Sequence, residues 1–193
     1  MNKKYEVEYF DDVHKYLVNG VIVPSVTEIL EKIFPNKYKN VPRETLMRKA
    51  TYGTIIHNYI EQYEKGLITQ ELNYIQKASF RQYLKLKDKY NISVLEQEKI
   101  VNYKDVYAGR FDIYGEVNGV ISLCDIKTTA SLDKEYLKYQ LNLYRFASKD
   151  KNKIKKLYAI WLAKKDIGKL VEIEIMSDKE IKDLLKKVEE IWK

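Results

Sequence analysis

The stretch from Tyr107 to Lys127, YAGRFDIYGEVNGVISLCDIK, leaves little freedom in how this chain folds. Two alternating runs, with Phe111, Ile113 and Val117 on one side and Val120, Cys124 and Ile126 on the other, flank the dipeptide Asn118-Gly119. An Asn-Gly pair in that setting specifies a two-residue β-hairpin, because both residues accept the positive φ of a type I′ turn. Val117 then opposes Val120. Counting outward from the turn places Asp112 directly across from Asp125.

Directly opposed residues have Cβ atoms about 5 Å apart, and like charges there destabilise a sheet. A divalent cation held between the two carboxylates offsets the repulsion, since Mg²⁺ takes carboxylate oxygens at about 2.1 Å and keeps waters for substrate. Lys127 lies two residues beyond Asp125 and shares its face. Two carboxylates beside an ammonium can hold a metal, orient a water and stabilise a phosphorane-like transition state. The same residues also fit a surface hairpin carrying two solvated acids and a lysine. The hairpin alone leaves both readings open.

A chain of 193 residues suits one domain with a sizeable core. Its 35 Lys and Arg outnumber 28 Asp and Glu, giving a formal charge of +7, which favours a polyanionic partner. No apolar run approaches the ~20 residues of a membrane span, and MNKKYEVEYF lacks the apolar core of a signal peptide, so the expectation is a cytoplasmic protein without a membrane partner. Cys124 is the one cysteine. Neither an internal disulfide nor a cysteine-ligated zinc or iron–sulfur site can be built from it within one chain.

Ahead of the hairpin, YEVEYF and KYLVNGVIV read as an antiparallel meander with Asn19-Gly20 at a turn. Ser25 and Glu28 have capping-box spacing at the start of VTEILEKIF, a helix that Pro35 stops. The polar, basic segment PNKYKNVPR reads as a connector. Helical periodicity runs from Arg43 to Lys65, with Gly53 marking either a close packing point or a break, and His57 and Glu61 share a face. A second helix spans residues 69–90, with Leu72, Ile75, Phe80, Tyr83 and Leu86 as its apolar stripe. Residues 92–103 form a strand from which Glu96 and Glu98 project on one face. From Asp133 to Ser148 a helix places Gln140 and Tyr144 four residues apart on one side. The strand KKLYAIWLA, a turn at Asp166-Ile167-Gly168, the strand LVEIEIM and a helix opened by a Ser177/Glu180 capping box complete the chain.

Helix, three strands, helix and strand, with acids at 112 and 125 and a lysine at 127, resemble the PD-(D/E)XK nuclease superfamily and, within it, the RecB-like branch. Four pieces carry the resemblance: GTIIH (Gly53 to His57), GRFD (Gly109 to Asp112), DIK (Asp125 to Lys127) and QLNLY (Gln140 to Tyr144). They occur in the family's order. The opening HKYLVNGVIVPSVTEIL is also similar to the start of phage-associated members. Relatives in CRISPR adaptation and helicase–nuclease complexes often carry four cysteines for an iron–sulfur cluster, which this chain lacks, as it lacks a helicase motor and a phosphate-binding Gly-rich loop.

The resemblance implies an α/β (α+β) fold with a restriction-endonuclease-like core, in which a mixed central sheet containing the 108–127 hairpin is flanked by helices. It implies one nuclease domain over 1–193, with the meander and first helix at 1–42 and the nuclease core at 43–193. Asp112 and Asp125, helped by His57 and the Ile126 carbonyl, would bind one or two Mg²⁺ or Mn²⁺ ions. Lys127 would position or deprotonate a water, while Gln140 and Tyr144 would support the metal site or the DNA backbone. Glu61 and Glu98 are further candidates, and Arg110, opposite Lys127 in the hairpin register, is a candidate phosphate contact. The implied activity is a metal-dependent deoxyribonuclease, an exonuclease acting on DNA ends in phage or bacterial recombination and repair. Partners would be DNA and a recombinase, single-strand-binding protein or helicase. An endonuclease of the same fold and a non-catalytic nucleic-acid-binding or assembly module are the alternatives.

Overall fold

A computed structural model describes residues 5–67, 71–163 and 167–192. The chain opens with the expected meander: β1 (Val7–Phe10), β2 (Lys15–Val18) and β3 (Val21–Val23) pair antiparallel in sequence order. Asn19 at φ 51° and Gly20 at φ 77° make the tight turn between the last two strands. At the start of α1 (Val26–Ile33), Ser25 Oγ accepts from the Glu28 N–H at 3.0 Å and Glu28 Oε2 accepts from the Ser25 N–H at 2.8 Å. This reciprocal cap satisfies two backbone donors that the first turn would otherwise leave unpaired. A bridge from Ser25 to Ala108, with the Ala108 N–H donating to the Pro24 carbonyl at 3.0 Å, ties the end of the meander to the main sheet.

That sheet has five strands in sequence order: β4 (Ser93–Tyr103), β5 (Tyr107–Val117), β6 (Val120–Lys127), β7 (Lys156–Trp161) and β8 (Lys169–Ile173). Neighbours run antiparallel except β6 and β7, which are parallel and joined by α4 (Lys134–Ala147). A parallel pair requires such a crossover, and its strands, covered on both faces, read as near-continuous apolar runs. One face is covered by α2 (Arg43–Glu64) and α3 (Tyr74–Lys89), whose Ile56, Ile60, Tyr83 and Leu86 pack on Ile113, Val117, Cys124 and Ile160. The other face meets α1, α4 and α5 (Asp178–Trp192), with Leu30, Leu137 and Leu141 on Phe111, Leu123 and Leu157. Each such fully buried aliphatic side chain contributes about 1.5–3 kcal/mol. A mixed sheet flanked by helices in this order is the expected α/β architecture and is consistent with a restriction-endonuclease-like core.

Several local expectations shift. The second long helix begins at Tyr74, because Asn73 and Gln76 form a capping box there; the expected start at Thr69 and Gln70 lies outside the described residues. Ile75 is 52% exposed, so the stripe that packs is centred on Tyr83 and Leu86. Asp166 of the expected turn also lies outside the described residues. The basic connector after α1 is pinned to α4: Lys37 Nζ is 2.6 Å from Asp133 Oδ2 and 3.4 Å from the centre of the Tyr136 ring.

Two glycines have packing reasons. Helix α2 runs unbroken through Gly53, where an added Cβ would meet Thr128 Oγ1 at 3.4 Å, so the close-packing reading holds. At Gly109 the approach is tighter, since a Cβ would sit 2.6 Å from the Tyr144 ring and 2.9 Å from a Val26 methyl. Gly109→Ala must therefore push both α1 and α4 off the sheet. A loss of about 1–3 kcal/mol in urea denaturation is expected; an unchanged midpoint would mean that the two helices give way freely.

Candidate metal centre

The hairpin turn has Asn118 at φ 50° and Gly119 at φ 76°, and the ladder pairs Val117 with Val120 and continues to Ile113 with Cys124. There it ends. Beyond that point β5 stays with β4 and β6 with β7, so Asp112 and Asp125 do not form the directly opposed pair expected from counting. The side chain of Asp112 takes the place of the missing backbone partner, its Oδ2 accepting from the Ile126 N–H at 2.6 Å. Arg110, expected opposite Lys127, is paired instead with Ile100 of β4, for the same reason.

His57 reaches this gap from α2. Its Nε2 is 3.0 Å from the Ile126 carbonyl oxygen, and a carbonyl only accepts, so Nε2 carries the hydrogen. Nδ1 is thereby turned towards Asp112 Oδ2, 3.5 Å away. The Ile126 carbonyl, expected among the metal ligands, thus spends a lone pair on orienting His57. Fixing one ring nitrogen so that the other faces the site is how ligating histidines are usually held.

A third donor comes from β4. The β4–β5 register shifts between Val94 and Glu96, and Glu98, across from Asp112, has φ 47° in mid-strand. A left-handed non-glycine residue costs on the order of 1–3 kcal/mol, and such strain clusters at functional positions. Donor atoms of His57, Glu98 and Asp112 all lie within 4.8 Å of one another. Glu98 Oε2 is ion-paired with Arg110 Nε at 2.9 Å. The guanidinium also lies 5.0 Å from the centre of the Tyr9 ring and 3.8 Å from Asp11 Oδ1. Burial first, and then the Asp112 charge, push the Glu98 carboxyl up to about 7 against the pull of Arg110. Glu61, on the same side, is ion-paired with Lys65 one turn on.

Asp125 stands outside this trio. Its side chain is 4% exposed, and Lys127 Nζ lies 2.6 Å from Oδ2, yet the approach is too poorly aligned to count as a hydrogen bond. Burial and then the Asp112 charge push the Asp125 carboxyl up to about 6, although Lys127 pulls the other way. Asp112 has the opposite bias: burial is outweighed by His57, Lys127 and the Ile126 amide, and its pKa falls below the usual carboxylate range. Burial likewise opposes the charges of His57 and Lys127, but Asp112 acting on His57, and Asp125 with Asp112 acting on Lys127, hold both above their ordinary values. On α4, Gln140 Nε2 approaches the Tyr144 hydroxyl at 3.4 Å, with Gln140 Oε1 buried and unpartnered. Burial, helped by Asp125, raises the Tyr144 hydroxyl well above its normal range.

The structure thus joins His57, Asp112 and the Ile126 backbone directly, adds Glu98, and sets Asp125 with Lys127 beside them. Glu98 was a minor candidate from sequence. Its place across from Asp112 follows only from the β4–β5 register, which a bulge shifts and no turn residue announces. One imidazole nitrogen and two carboxylates, beside a further buried carboxylate, are a donor set that could hold a metal ion.

No known protein family's profile matches the chain, and no curated protein does. Sixteen chains of solved structures do. One is the crystal structure of SSO0001, with a TM-score of 0.50 and 18% identity over 88% of this chain and 75% of that one. Another is a "Putative exonuclease" from Eubacterium rectale, with a TM-score of 0.48 and 17% identity over 72% of this chain and 64% of that one. At such identity the likeness speaks to the fold alone. Among the described residues no helix is long and apolar enough to cross a membrane.

Proposed function

We propose that this protein is a metal-dependent deoxyribonuclease of the PD-(D/E)XK superfamily, RecB-like branch, acting on DNA ends. The observation that carries the proposal is the convergence of His57, Glu98 and Asp112 within 4.8 Å, next to a buried carboxylate that an ammonium accompanies. The ordered motifs of the sequence supply the same residues, apart from Glu98, independently. A formal charge of +7 suits a polyanionic substrate, and phosphate contacts of that kind carry no base information.

His57, Glu98, Asp112 and Asp125 would hold Mg²⁺ or Mn²⁺. The bound cation would supply charge neutralisation at the scissile phosphate and acidify a coordinated water. Around it, each residue has a defined task. The Ile126 N–H locks the Asp112 carboxylate, and the Ile126 carbonyl fixes the His57 ring. Lys127, kept protonated by two carboxylates, donates hydrogen bonds to the phosphate oxygens where charge accumulates rather than taking a proton from water. Gln140 and Tyr144 form a dry wall on the α4 side, which strengthens every charge interaction inside.

Digestion of end-labelled linear duplex and covalently closed circles, each with Mn²⁺, Mg²⁺ or EDTA, tests the proposal. Metal-dependent loss of the linear substrate with circles intact is expected. Rapid nicking of circles would reassign the chain as an endonuclease. DNA binding without cleavage under any metal would make it a non-catalytic module.

A further inference from the structure

Arg110 lies on β5 two residues before Asp112, and its guanidinium is already committed. Nε is ion-paired with Glu98 Oε2 at 2.9 Å, the centre of the Tyr9 ring lies 5.0 Å from the guanidinium carbon, and Asp11 Oδ1 is 3.8 Å from Nη1. Tyr9 is in turn stacked on Tyr16, with ring centres 4.6 Å apart, and Tyr16 packs with Val18, Val23 and Ala108 where the meander meets β5. The N-terminal sheet therefore grips Arg110, and Arg110 grips Glu98. Glu98 needs gripping because its backbone is in the left-handed region in mid-strand, where a regular ladder does not fix the side chain's direction.

We infer that Arg110 is a positioning residue, anchored by the N-terminal meander, that occupies one oxygen of Glu98 and aims the carboxylate at the cation shared with His57 and Asp112. The inference rests on the metal-site reading given above. It assigns Arg110 a task other than binding phosphate: a guanidinium engaged by a carboxylate, a second acid and an aromatic face has little left to offer DNA. It also makes the meander part of the metal centre rather than an appendage to it. Groups that hold a ligating carboxylate from behind typically control metal affinity by 10- to 100-fold.

Charge and aim must be separated, because removing a cation beside the site should by itself attract Mn²⁺ more strongly. Arg110→Lys keeps the charge and loses the planar fork that meets Glu98 and stacks on Tyr9. Calorimetric titration of Mn²⁺ into the DNA-free protein is expected to show an affinity about tenfold weaker in Arg110→Lys than in wild type. In a Glu98→Gln background the same change should have no further effect, since the group through which Arg110 acts is already altered.

Wild type that takes up no Mn²⁺ would remove the metal reading and this inference with it. Wild type that binds Mn²⁺ while Arg110→Lys binds it equally well would remove the role of Arg110 alone. An undiminished effect of Arg110→Lys in the Glu98→Gln background would likewise overturn it. A salt-dependence slope of DNA binding reduced by about one in Arg110→Ala, checked for folding by circular dichroism, with Mn²⁺ affinity untouched, would return Arg110 to the phosphate role and overturn the inference.

Discussion

Asp112→Asn is expected to slow single-turnover digestion of an end-labelled duplex by 10²-fold or more at saturating Mn²⁺. In the proposed site the substitution would remove a ligand charge where the chemistry would depend on charge aimed at the transition state. Asp112 is the residue on which the other groups converge, touching His57 and the Ile126 amide and lying within reach of Glu98. The metal-free protein should lose stability as well. Its partners hold the Asp112 carboxyl below the ordinary range, so the ionised form is favoured by folding. A depressed carboxyl contributes stability that is present above its unfolded pKa of about 4 and lost as pH falls through the folded value. In EDTA, the deficit of Asp112→Asn relative to wild type should thus be present at pH 7 and close on acidification. Digestion by Asp112→Asn at the wild-type rate would end the site assignment, whatever the stability result.

What the sequence made legible was whatever local chemistry dictates. Asn118-Gly119 specified the hairpin and its register as far as Ile113 and Cys124, because both residues tolerate the turn's dihedrals. Ser25 with Glu28, and Ser177 with Glu180, marked two helix starts, each of which forms its reciprocal cap. His57, Asp112, Asp125 and Lys127 were singled out by motif order, and the fold brings them to one place. The illegible parts depend on where strands part company. Counting outward from the turn assumed a ladder that continues, whereas β5 and β6 separate at Asp112 to pair with β4 and β7. That separation frees the Ile126 amide and carbonyl for Asp112 and His57, and it removes Lys127 from opposite Arg110. Glu98 enters through a left-handed residue, which no residue type in the strand SVLEQEKIVNY announces. The basic segment after α1 read as a bare connector because its anchor, Asp133, is distant in sequence.

Asp125→Asn separates the two carboxylates most sharply, because activity and stability should move in opposite directions. Hydrolysis should again fall by 10²-fold or more, since in the proposed site Asp125 would supply a ligand oxygen, and it holds the Lys127 ammonium. The metal-free fold should become more stable. Asp125 is buried with no aligned donor on Oδ2, and its carboxyl is pushed up to about 6, so ionising it in the folded state is unfavourable even with Lys127 alongside. A raised carboxyl leaves its stabilising contribution intact below the unfolded pKa of about 4 and loses it as pH climbs through the folded value. Wild type should therefore be matched to Asp125→Asn near pH 4 and fall behind by on the order of 1–3 kcal/mol at pH 7, at about 1.4 kcal/mol per unit of displacement. Urea denaturation in EDTA at the two pH values measures this. Were Asp125→Asn the less stable protein at pH 7, the pair with Lys127 would be a structural ion pair that folding relies on. If the expected order holds and Mn²⁺ reverses it, the carboxylate is held at a cost to the fold that only a cation relieves.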